Sequence, residues 1–179
     1  FDAVATVENY LKTNEADNIN SALPQKRAAA VDELLFVVGR GYFLGIALDA
    51  TGDAFVTGFT YSTNFPTTAD ERYPHLRCTN NFYVNANAFV AEIPQGGNGL
   101  NYSTFLGGSN YDVGTAIACN NGNVLVAGYT LSSSFPWTNG LLTCQYFNGS
   151  NYLSGSAPDA FVTAFTTSGT NLALLYSTF

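Results

Sequence analysis

Few residues in this 179-residue chain are of types that could carry catalysis. His75 is the lone histidine, in "RYPHLRC", flanked by Arg72 and Arg77 in a stretch of loop character. No serine, cysteine or acid stands at a spacing that would make it part of a nucleophilic triad. A paired-carboxylate mechanism would draw on Asp49, Asp53, Asp70, Glu71, Glu92, Asp112 or Asp159. Asp49 and Asp53 fall in the turn "DATGD", whose ligand count is too low for a calcium loop, so they read as turn residues. Asp112 and Asp159 are isolated acids in hydroxyl-rich surroundings and read as bonded to backbone rather than to substrate. The expectation is a protein that is not an enzyme, with no cofactor and no metal.

Three cysteines leave an odd count. Cys78 and Cys144 lie in matching long loops, and their pairing as a disulfide would leave Cys119 free. Pairs of Cys78 or Cys144 with Cys119 stay open, as does a fully reduced chain. Two sequons, "NYS" at Asn101 and "NGS" at Asn148, are candidate glycosylation sites.

Charge is distributed unevenly. The formal net charge is −7, and all six Lys and Arg residues precede Cys78. Beyond that point the only charged side chains are Glu92, Asp112 and Asp159. Soluble surfaces are ordinarily about 25–35% charged, so this half meets water with Asn, Ser, Thr, Gly and Tyr or is covered. No basic patch exists to bind nucleic acid. No apolar run approaches the ~20 residues of a membrane-spanning helix. The 17 glycines, the absence of Met and the prominence of Phe and Tyr suit a mainly β protein.

The elements that position these residues come from an internal repeat. "GIALDATGDAFVTGFTYSTNFPTT" (Gly45–Thr68) lies over "TAIACNNGNVLVAGYTLSSSFPWT" (Thr115–Thr138) at an offset of 70, placing Gly58 on Gly128 and Phe65-Pro66 on Phe135-Pro136. "NAFVAEI" at Asn87 matches "DAFVTAF" at Asp159, offset by 72, and "NYSTF" at Asn101 matches "LYSTF" at Leu175, offset by 74. Each unit reads as four antiparallel strands joined by turns, with a central glycine in the second strand where backbones approach closely. A strand-like segment, "LLFVVGRG", begins at Leu34 before the first unit.

These segments resemble the SBBP repeat, a bacterial-type β-propeller repeat, over about residues 42–179. The resemblance is carried by "YSTFLGGS", the paired strands around "GDAFVTGFT", the "FPTT" step and "DAFVTAF". It implies two four-stranded propeller-like blades of a secreted or surface protein, with no catalytic residues to carry over. Two blades cannot close a ring of four or more. The remainder would come from a longer protein or from other subunits, unless the two sheets pack as a β-sandwich. The organisation expected is a helical N-terminal arm (1–33) before a two-blade domain (34–179), divided into 34–110 and 111–179.

Function follows from that architecture. The leading expectation is a noncatalytic structural subunit of an extracellular or cell-surface assembly (filament, sheath or coat). It would be a homo-oligomer or polymer held by edge strands and charge-poor faces. Candidate interface residues are Leu35, Phe36, Val37, Val38, Leu174, Leu175, Tyr176, Phe179 and Trp137. The alternative is a carbohydrate- or cell-surface-binding module of a larger propeller, its glycan held by aromatic residues of the loops 68–87 and 138–158.

Overall fold

A computed structural model describes residues 41–68, 86–95, 99–120, 122–138, 158–168 and 171–178. These form two four-stranded antiparallel sheets and no helix. The first sheet holds β1 (Tyr42–Leu48), β2 (Ala54–Thr60), β3 (Asn87–Ile93) and β4 (Tyr102–Leu106), in that spatial order. The second holds β5 (Asp112–Asn120), β6 (Asn123–Thr130), β7 (Asp159–Ser168) and β8 (Asn171–Thr178), again in chain order. The expected helical arm and the strand at Leu34 lie outside the described residues.

Within each sheet the strands follow the sequence closely. The runs "AFVTGFT" and "NVLVAGYT" are rich in the β-branched and aromatic residues that fit a pleated surface. The turns that lead into them use glycine with positive φ, 87° at Gly52 and 74° at Gly122. The two hairpins differ in length. Leu48 opposes Ala54 in the first, whereas Asn120 opposes Asn123 in the second. One more residue in the first turn shifts the equivalence of β1 and β5 by one relative to the uniform offset read from sequence. Leu48, not Asp49, is the structural counterpart of Cys119.

The central glycines of β2 and β6 are required by a bulge in the neighbouring strand. Pairing slips between Phe43 and Gly45, and again between Gly114 and Ala116. The bulged backbone moves inward, so a Cβ on Gly58 would run into the carbonyl oxygen of Tyr42, and one on Gly128 into that of Val113.

The sheets pack face to face in a sandwich-like arrangement, with β5 lying against β1, β2 and β3. Alternation along the strands gives each sheet two faces. Phe55, Val90 and Tyr102 of the first sheet form one core with Val124, Val126, Phe161 and Phe165 of the second. The opposite face of the first sheet carries a separate core of Val56, Phe89, Ala91, Ile93 and Phe105 under Phe65.

Those faces are not equivalent under the repeat. Phe55 and Val90 correspond to Leu125 and Val162, which point away from the joint. Val126 and Phe161 correspond to Val56 and Phe89, the covered far face of the first sheet. The units therefore stack head to tail, one kind of face on the other, rather than as a pair related by a two-fold axis.

Because Gly58 and Gly128 each face a carbonyl oxygen, Gly58→Ala and Gly128→Ala are expected to cost roughly 2–4 kcal/mol each. Chemical denaturation of the two variants beside the parent chain checks this; unchanged midpoints would place the bulges elsewhere.

Candidate interaction surface

The strongest constellation of polar groups surrounds Asp112, at the start of β5. Its Oδ2 accepts from the Gly108 amide (2.8 Å), Asn87 Nδ2 (2.8 Å) and Ser132 Oγ (3.0 Å), and its Oδ1 from Thr130 Oγ1. The Asp112 amide donates to Ala86 O at 2.8 Å. Asn87 belongs to the first sheet, Thr130 to the second, Ser132 to the segment just after β6, and Gly108 to the linker between the sheets. One carboxylate thus ties both sheets and their connection together. The glycines of "LGGS" make room for it. A Cβ on Gly107 would meet Asn87 and Asp112, and one on Gly108 would press on Ser132 at 2.6 Å.

Every acceptor in this knot is engaged with protein donors and the carboxylate is fully buried, so its role is structural. Burial pushes the carboxyl up to about 6, against the pull of Thr130, Gly108, Ser132 and Asn87. Glu92, buried opposite Tyr102, is also raised by burial, while Asn101 Nδ2 donates to its Oε1 at 2.9 Å and opposes the shift. That nitrogen is the atom a glycan on Asn101 would occupy.

The turn acids behave as turn residues. Asp49 Oδ1 accepts from the amides of Thr51 and Asp53, each at 2.9 Å, and from Thr51 Oγ1 at 2.8 Å. Slight burial pushes the Asp49 carboxyl up, but these bonds and the Gly52 amide outweigh it and hold the group below its usual value. Asp53 Oδ1 accepts from the Gln95 amide at 2.7 Å, tying the first hairpin to the turn after β3. Among the described residues no three His, Cys, Asp or Glu side chains converge as metal ligands.

An aromatic strip crosses the top of both sheets. Tyr42 stacks on Phe59 with ring centres 4.7 Å apart, and Phe59 continues to Tyr111 at 5.9 Å. Tyr111 meets Tyr129 at 6.4 Å and shares a 3.4 Å hydroxyl contact with Tyr61. Burial and the Tyr61 hydroxyl raise the Tyr111 phenol well above its ordinary value. Tyr42 and Tyr61 are exposed at the end of the strip. The aromatic residues of the long loops 68–87 and 138–158 lie, but for the loop ends, outside the described residues. Phe59 and Tyr129 are repeat equivalents, and that match was the one available signal.

The outward face of the second sheet is an open apolar surface. Leu125, Val162 and Tyr176 are 37%, 38% and 39% exposed, and Ala116, Ala118 and Ala160 open beside them. Among the described residues, none on that face is charged. Of the interface candidates from sequence, Leu175, Tyr176 and Trp137 are exposed, whereas Leu174 packs against the core between the sheets. Leu35, Phe36, Val37, Val38 and Phe179 lie outside the described residues, as do His75, Asn148, Cys78 and Cys144.

The fourth strands are not bare edges. Thr68 donates its amide to Ser103 O (3.0 Å) and accepts the Ser103 amide on Oγ1 (3.2 Å). Thr138 and Ser177 repeat both bonds at 3.1 and 3.0 Å. The "FPTT" and "FPWT" steps thereby blunt β4 and β8, while Phe65 and Phe135 anchor them on Phe89 and Phe161 at 4.6 and 4.4 Å.

No family model matches the chain and no curated protein matches it. The SBBP resemblance therefore rests on the segments that carry it.

Two outcomes follow from the buried groups. An unfolded aspartate titrates near 3.8, below the folded Asp112, so the folded chain holds this proton more tightly. The associated stability is fully present below about pH 4 and is lost as pH rises through about 6, by about 3 kcal/mol. Denaturation between pH 4 and 7 should show that decline. Asp112→Asn should flatten it, leaving only the smaller slope in the same direction from Glu92.

Cys119 is a free, half-buried thiol that burial, with Asp49 and Glu92 adding, pushes up to about 12. Alkylation at pH 8 should leave Cys119 largely unmodified in the native chain and modify it fully in denaturant. Equal rates in both would contradict its packing.

Proposed function

We propose that this chain is a noncatalytic structural subunit of an extracellular assembly, a filament, sheath or surface coat, built from propeller-like repeat units that self-associate. The observation that carries this reading is the open face of the second sheet, which presents Leu125, Val162 and Tyr176 and, among the described residues, no charge. Exposed apolar patches of that kind mark interaction sites, and depletion of charge is the compositional mark of an interface core. Head-to-tail stacking supports the propeller-like description, because each unit offers one kind of face and takes the other. The blunted fourth strands move the expected joints from strand edges to faces. Leu175, Tyr176 and Trp137 remain the exposed members of the interface set on the second sheet.

A second reading is supported by a different observation. The aromatic strip ending in exposed Tyr42 and Tyr61 offers ring faces and phenol hydroxyls on which a sugar can stack and hydrogen-bond, as in a carbohydrate-binding module of a larger β-propeller. On this reading Tyr42→Ala abolishes glycan binding with the fold intact.

Electron microscopy of native material, with intact mass measured on the same sample, separates the two. Ordered homo-oligomers or polymers built from this chain are the expected result. Discrete particles of a much heavier single polypeptide would overturn the assembly reading in favour of the second.

A further inference from the structure

The repeat also bears on what covers the open face, and this inference rests on the self-association reading. Positions on that face correspond one for one with positions of the first sheet that the second sheet buries. Leu125 stands for Phe55, Val162 for Val90 and Tyr176 for Tyr102. The same strand positions that make the inter-sheet core inside the chain are thus presented to solvent at its far end. One change makes the outer copy better suited to a second molecule. Glu92 of the first sheet is replaced by Ala164, so the open face lacks even the one acid its counterpart carries.

The opposite end of the stack is closed. Val56, Phe89, Ala91 and Phe105 are each 1% exposed or less. A second molecule cannot add head to tail there without displacing what already covers them. A chain with one open face and one closed end associates by setting two open faces together, which is the isologous, two-fold solution.

Charge permits it. The described acids lie elsewhere: Asp49 and Asp53 at the first hairpin turn, Glu92 and Asp112 buried at the joint between sheets, and Asp159 at the start of β7 on the inward side with Phe161, its Oδ2 buried. Two copies of a chain of net charge −7 can therefore approach through this face without opposing like charges among the described residues. Alanines at 116, 118 and 160 keep the face low beside Leu125 and Val162, which suits the ~10 Å spacing of stacked sheets.

We infer that the open face of the β5–β8 sheet is a two-fold dimer interface, on which a second copy of this chain seats its own β5–β8 face, with Leu125, Val162 and Tyr176 at its core.

The test is sedimentation equilibrium of the 179-residue chain and two surface variants, Leu125→Lys/Val162→Lys and Leu125→Glu/Val162→Glu. Circular dichroism and melting confirm that each is folded; these positions are solvent-exposed, so folding is expected to survive. The parent chain should be a dimer. Each charged variant alone should dissociate roughly 100-fold or more readily, because like charges then oppose one another. An equimolar mixture of the two should recover a mixed dimer, since any pairing of this face with itself sets lysine against glutamate.

A parent that assembles while both variants assemble equally well overturns the interface and leaves the self-association reading standing. Variants that dissociate but do not recover on mixing show that the face meets a different surface of the second copy, and overturn the two-fold pairing. A monomeric parent overturns both, and assigns the face to a further repeat unit or to another protein.

Discussion

Everything in the arrangement of these sheets depends on how closely β5 is laid across the first sheet. At Gly45 the nearest neighbours of a would-be Cβ are the Ile117 amide nitrogen at 3.2 Å and the Ala116 Cα at 3.3 Å. At Gly114 the neighbour is the Thr57 hydroxyl, itself held by Phe89 O at 2.7 Å. At Gly45 backbone meets backbone, and the Thr57 side chain packs against both glycines. Such proximity is possible only where both strands carry glycine and both are bulged, and these bulges sit beside Gly45 and Gly114. The Asp112 knot then fixes the direction in which β5 leaves the linker. Together these constraints choose which face of the second sheet turns inward.

Once that choice is made, the rest follows by repetition. Phe161 and Phe165 enter the core between the sheets, while their counterparts Phe89 and Ile93 close the far face of the first sheet. Burying a phenylalanine or valine side chain contributes about 1.5–3 kcal/mol, so the apolar layer supplies most of the adhesion between sheets. The buried Asp112 carboxylate opposes part of that gain near neutral pH. Its contribution is specificity, because only one mutual setting of the sheets satisfies all of its donors. Leu125 and Val162 remain outside for the same reason that Val124 and Val126 are inside.

Much of this was legible in the sequence. The eight strands, the turn glycines at 52 and 122 and the close approach at Gly58 and Gly128 follow from alternation, β-branched runs and repeat matching. The turn roles of Asp49 and Asp53 were equally plain. Other features were hidden because they depend on contacts between strands far apart in the chain. The one-residue difference between the first hairpins is invisible when Gly52 and Gly122 align so well. Asp112 was expected to bond backbone, yet two of its partners, Asn87 and Ser132, lie 25 and 20 residues away. The pairing of Thr68 with Ser103 and Thr138 with Ser177 gives the "FP-T" step a purpose that composition alone does not disclose. Leu174 was read as an edge residue open to a partner, but the register of β8 turns it into the core.

The central claim is the head-to-tail setting of unlike faces, and nuclear Overhauser contacts measure it directly. In isotope-labelled chain the Gly114 Hα protons should show contacts to the Thr57 methyl group, and the Val126 methyls should meet protons of the first sheet's inward face. The Leu125 and Val162 methyls should show none to Phe55 or Val90. Contacts from Leu125 or Val162 to Phe55 or Val90 would mean that the second sheet is turned over, with equivalent faces together, and would contradict the account.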